Sequence, residues 1–120
     1  MPVQPDRGFF SRIPRLARIS ITGQSMKPFL NDGDWVLALI TPAGLGERRL
    51  RRSLGHVVLV RRRVEPDLLT IKRLVKVIDI GYWVEGDDPE HSTDSRQYLT
   101  IEASEIVGRL LFRYKRKTSE

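Results

Sequence analysis

A mainly β domain is what the sequence predicts, and three observations carry the expectation. The apolar segments are short, most of them are rich in Val and Ile, and turn residues separate them at close intervals. No stretch of helical period exceeds about ten residues, the length at which a helix assignment becomes secure. Taken in order, residues 1–15 hold Pro2, Pro5 and Pro14 with little periodicity and read as a flexible or loosely docked arm. The folded domain is expected over 16–114, with a basic tail at 115–120. Strand-like segments fall at 16–22, 35–40, 56–61, 68–80, 82–85, 98–102 and 106–114. Between them, Asn31-Asp32-Gly33-Asp34, Thr41-Pro42-Ala43-Gly44, Glu65-Pro66-Asp67 and Gly86-Asp87-Asp88-Pro89 supply turns. The sequence shows neither an internal repeat nor a low-complexity tract.

Composition bounds the function. A chain of 120 residues suits one domain. Leu, Ile, Val and Phe make up 37 of those 120 residues, enough to bury a core. The net charge is +6, and 16 of the 21 basic residues are arginine. Such a balance hints at an anionic partner without fixing what is recognised. With no cysteine, a disulfide scaffold, a thiolate metal site and a cysteine nucleophile are excluded. The longest apolar run, residues 35–40, is far short of the roughly 20 needed to span a bilayer. Phe9 and Phe10 lie beside Arg12, Arg15 and Arg18, but Pro14 interrupts the stretch and no signal-peptide core follows, so a cytoplasmic protein without a transmembrane anchor is expected.

Two arginine groups stand out. Arg48, Arg49, Arg51 and Arg52 fall in an expected loop, and Arg61, Arg62 and Arg63 close a strand. A basic nucleic-acid-binding module would use them as a phosphate stripe. No aromatic residues are interleaved for base stacking, so a solvated loop and a charged edge strand are the preferred reading and no nucleic acid is expected.

The most unusual local sequence is Gly23-Gln24-Ser25-Met26-Lys27-Pro28-Phe29-Leu30, between the first strand and the Asn31 turn. A serine hydroxyl is a poor nucleophile until a base takes its proton. His56 and His91 are the only histidines, and the segment lacks the last glycine of the G-x-S-x-G elbow. A lysine held neutral is the other solution. Lys72 lies within Leu69-Thr70-Ile71-Lys72-Arg73-Leu74-Val75, where alternation puts Thr70, Lys72 and Leu74 on one face. Burial and the adjacent Arg73 are expected to lower its pKa. On residue type alone, a strand lysine reaching to solvent is the commoner case.

Three segments in order alter that weighting. Ser25-Met26-x-Pro28-x-Leu30 resembles the nucleophile box of bacterial signal peptidase I and its relatives. Ile71-Lys72-Arg73 resembles the strand that carries the family's lysine base, and Gly86-Asp87-Asp88-Pro89-Glu90-His91-Ser92-Thr93-Asp94-Ser95-Arg96 resembles its supporting box. The resemblance covers about residues 19–109. It implies a compact signal-peptidase/LexA-like β fold in which Ser25 attacks the scissile carbonyl and Lys72 takes its proton. By the same resemblance Ser92 orients the lysine, Asp94 and Arg96 form an ion pair beneath the site, the Ser25 N–H stabilises the oxyanion, and Met26 and Pro28 contact substrate. Gly23 stands where many members place a second oxyanion donor. Other departures are His56 for an aspartate, Asp88 for an asparagine and Leu99 for a frequent glycine. Asp87, Asp88, Glu90, His91 and Asp94 match neither the calcium-loop nor the H-E-x-x-H spacing, so neither a metal nor a cofactor is expected.

Lys72 and Gly86 are 14 positions apart, which leaves no room for the family's large inserted subdomain. Together with Tyr82-Trp83-Val84-x-Gly86-Asp87-x-Pro89, this compactness resembles the nickel-type superoxide dismutase maturation proteases. The substrate that this implies is the dismutase precursor, from which an amino-terminal leader is removed. A general leader peptidase and a LexA-like self-cleaving domain are the alternatives within the resemblance.

Overall fold

The computed structural model describes residues 14–116. Most of the expected arm 1–15 and most of the tail 115–120 therefore lie outside the described residues. Six strands form one sheet: β1 (Arg15–Ser20), β2 (Trp35–Ile40), β3 (Val57–Val60), β4 (Thr70–Ile78), β5 (Gly81–Glu85) and β6 (Ile106–Lys115). Their spatial order is β1-β2-β6-β3-β4-β5, and every neighbouring pair is antiparallel. Two short helices, α1 (Glu47–Arg52) and α2 (Ser95–Tyr98), and the 3-10 turns Pro89–His91 and Ala103–Glu105 complete the fold. The protein is mainly β.

The centre of the sheet explains its most apolar strand. All four residues of β3 are buried. Val58 and Val60 pack on one face with Leu45, Leu50, Leu74, Val84, Ile101 and Ile106. Val57 and Leu59 face the other way, toward Met26 and Val36 or toward Ala38 and Val107. A strand covered on both faces reads as a continuous apolar run rather than an alternating one. Gly108 on β6 makes the close β2–β6–β3 packing feasible, since a Cβ there would sit 2.8 Å from the Leu39 carbonyl oxygen.

Two expectations are corrected. Residues 98–102 form no strand of their own: Tyr98 ends α2, and Ile101 makes only an isolated bridge to Tyr82. Leu99 ends α2 at a φ of 67°, a left-handed conformation that forbids an extended run through it. The expected arginine loop holds α1 instead, since Leu50 is fully buried and Glu47 pairs with Arg51 one turn on at 2.6 Å. A six-residue helix with one apolar residue carries too little periodicity to be seen in sequence.

Where β4 ends its pairing matters most for the site. β5 pairs with β4 from Arg73 onward, whereas β3 pairs with residues 70–73. Residues 70–72 therefore have β3 on one side and an open edge on the other.

Candidate active site

Ser25 and Lys72 reach one cavity from different parts of the chain. Ser25 lies in the 14-residue connection between β1 and β2, which is anchored by buried Ile21, Met26 and Leu30. Two backbone bonds close the connection at its base, from Ile21 N–H to the Asp34 carbonyl and from Gly33 N–H to the Ile21 carbonyl, both 2.8 Å. Asp34 also accepts from the Asn31 N–H at 2.9 Å and faces Arg113 at 3.3 Å. The segment is thus a packed shelf. Its cavity, of about 200 Å3, is lined by Ser25, Gly23 and Met26 from the connection and by residues 68–72 from the open edge of β4.

Lys72 is 5 % exposed and shares a face with buried Leu74, as the alternation predicts. Burial is the largest influence on its pKa and lowers it; Asp94 opposes that shift and Arg96 adds to it. The expected contribution of Arg73 is corrected here. Arg73 points to the other face and is held by Asp87 through two hydrogen bonds of 2.8 Å, so its charge is matched locally. Arg96, 24 residues further along the chain, is the cation that acts on the lysine.

Beneath the lysine lies a small polar network. Asp94 is fully buried and accepts hydrogen bonds from Ser92 Oγ at 2.5 Å, Gly86 N–H at 2.8 Å and the Arg96 side chain at 2.6 and 3.0 Å. Burial alone would raise its pKa, but the bonds from Arg96, Ser92 and Gly86 outweigh it and hold the carboxyl well below the usual carboxylate range. Arg96 also donates to the Gly86 carbonyl at 2.9 Å, and Ser95 Oγ accepts from the Val84 N–H at 2.9 Å. The network thereby fixes the end of β5 against α2. Ser92 is joined to Asp94, and among the described residues the Lys72 side chain makes no hydrogen bond.

The Ser25 segment docks on the same 86–96 stretch. Asp88 N–H donates to the Ser25 carbonyl at 2.8 Å. A Cβ on Gly86 would lie 2.7 Å from that carbonyl oxygen and 2.6 Å from Ser92 Cβ, so only glycine lets the three segments meet. The Ser25 N–H has no acceptor among the described residues, which leaves it available to an oxyanion. Gly23 has a φ of 86° and donates its N–H to Asp32 at 2.9 Å.

Several expected contacts are placed differently. Met26 is 2 % exposed and forms the cavity wall from within the core. Pro28 follows a cis peptide bond, is exposed and lines neither cavity at the site. Neither histidine lines the Ser25 cavity; His91 pairs with Asp88 at 2.8 Å. Sequence reasoning missed a second cavity of about 260 Å3 on the far side of Lys72, lined by Arg62, Glu65, Leu68, Thr70, Lys72, Thr93 and Tyr98. Its only signal was the arginine run, which gives no hint of Tyr98. No helix among the described residues is long and apolar enough to cross a membrane. No family model matches the chain, and no curated protein matches its sequence.

Proposed function

We propose that the protein is a serine endopeptidase that works through a Ser25/Lys72 dyad and removes an amino-terminal leader from a precursor protein. The observation that carries this reading is the single cavity lined by a loop serine and a buried lysine of lowered pKa. The open edge at residues 70–72 suits an extended peptide, which would add to β4 through main-chain hydrogen bonds.

In the first step Ser25 Oγ forms a bond to the scissile carbonyl carbon as its proton passes to neutral Lys72 Nζ, and the Ser25 N–H stabilises the resulting oxyanion. Collapse of the tetrahedral adduct breaks the C–N bond, and the lysine ammonium gives its proton to the departing amine. Water then attacks the acyl-serine with Lys72 again as base, which regenerates the hydroxyl and releases the leader carboxylate. Catalytic hydrogen bonds often tighten only when substrate is bound, so the lack of a Ser25–Lys72 bond in the free protein is compatible with this sequence of steps.

The specific substrate we favour is the nickel-type superoxide dismutase precursor, processed in the cytoplasm. It is supported by the three ordered boxes and by the short distance from Lys72 to Gly86. Incubation of that precursor with the wild-type protein should yield the shortened product. Ser25→Ala and Lys72→Met should each slow the cleavage by roughly 10³-fold or more. Undiminished cleavage by either variant would overturn the dyad, and cleavage of unrelated leaders alone would overturn the substrate.

A further inference from the structure

We infer that the second cavity is a subsite for an acidic side chain of the bound peptide, with Arg62 as the residue that recognises its carboxylate. The inference rests on the peptidase reading above and names a substrate feature that the reading leaves open.

Arg62 is unusually placed for a residue in a basic run. Its guanidinium carbon lies over the Tyr98 ring, 3.8 Å from the centroid. Its Nε is sealed from solvent and has no hydrogen-bond partner. Glu65 is the only acid within ion-pair range among the described residues, at 3.6 Å, beyond hydrogen-bond distance, and its side chain is 53 % exposed. The side chain is 25 % exposed, and among the described residues no hydrogen bond engages its terminal nitrogens. A carboxylate satisfies the terminal nitrogens of a guanidinium through charge-assisted bonds. Its neighbours Arg61 and Arg63 differ in this respect. Arg61 donates to the Pro42 carbonyl at 3.3 Å, and Arg63 pairs with Glu102.

Position relative to the dyad makes the cavity part of the same site. Lys72 lines both cavities, with Thr70 and Leu68 beside it. The Ser25 cavity lies on the face where Met26 packs, and the Arg62 cavity lies on the face where Tyr98 packs. A peptide added to the open edge of β4 sends successive side chains to opposite faces. When one side chain fills the Ser25 cavity, its sequence neighbours point toward Arg62. Thr70 and Thr93 supply further polar lining, and Lys72 is the other nitrogen facing the space.

The test uses peptides that the wild-type protein cleaves, each carrying a single Asp walked along the chain and compared with Asn at the same position. An Asp should lower KM by about tenfold relative to Asn, with kcat little changed, and only at positions of one parity. Arg62→Gln should abolish that discrimination and Arg62→Lys should keep part of it. Thermal unfolding of each variant establishes that it is folded, and binding of the same Asp and Asn peptides to Ser25→Ala reads the preference without turnover. Equal Asp and Asn values in the wild type, or a preference that survives in folded Arg62→Gln, would overturn the subsite while leaving the dyad intact. If no peptide is cleaved in a Ser25-dependent manner, the peptidase reading fails and the subsite falls with it.

Discussion

As the proposed base, Lys72 works only when neutral, and its burial has a measurable consequence for pH. The rate of cleavage should rise with pH as the lysine loses its proton, through a midpoint below that of an ordinary lysine, because burial disfavours the ammonium. Stability carries the same sign. Between the lowered folded pKa and the unfolded value the unfolded chain binds more protons, so stability increases with pH across that window and is least below it. Lys72→Met removes the burden. It should abolish cleavage while raising Tm by about 3–6 °C near neutral pH, as a thermal melt beside the activity assay would show. Asp94 behaves oppositely. Its lowered pKa contributes stability above the unfolded carboxylate value and loses it as pH falls toward the folded one. Asp94→Ala removes the acceptor for Arg96, Ser92 and Gly86, and should cost about 3 kcal/mol by urea unfolding at neutral pH, with a flatter acid limb than the wild type.

At the scale of the element, the site depends on what each strand end is free to do. β5 stops at Glu85, so the edge of β4 beside Lys72 is left open and Gly86 is left to turn beneath Ser25. Gly86→Ala tests that arrangement. The added methyl meets Ser92 and the Ser25 carbonyl and should destabilise by about 1–3 kcal/mol, with a fall in kcat at temperatures where the protein remains folded. Unchanged kcat in a folded Gly86→Ala protein would refute the close coupling of the two boxes. Strand existence was legible because β-branched runs and turn residues are local signals: all six strands lie within a residue or two of segments that pattern predicts. Less of α1 and α2 was legible. Leu50 draws α1 onto the core, and the Asp94–Gln97 capping box starts α2, but each helix is too short to display a period. Leu99, where the resembling family often has glycine, takes the left-handed conformation that glycine adopts without strain.

Across the whole molecule, the proposed dyad joins distant strands. β1 and β2 carry the Ser25 connection at one side of the sheet, β4 carries Lys72 near the other, and β6 and β3 lie between them. The +6 charge of the chain is distributed widely, and several arginines are occupied in local pairs with Glu47, Asp87, Asp94 and Glu102. What remains should steer an acidic protein substrate. The expected result is a fall in kcat/KM as ionic strength rises past the point where the Debye length nears 10 Å, at about 0.1 M; rates independent of salt would remove charge steering from the account. Pattern and order in the sequence determined the β class, the positions of most strands, the face that holds Lys72, and Ser25 and Lys72 as the residues to examine. Only the tertiary structure decided that these two share a cavity, that Arg96 rather than Arg73 acts on the lysine, that Ser92 is bonded to Asp94, and that Arg62 lies over Tyr98 with only Glu65 in ion-pair range among the described residues. Periodicity along a strand is a local property, so the sequence displays it. Contacts between residues dozens of positions apart depend on sheet order and on where each strand stops pairing, and those arise only when the chain closes on its core.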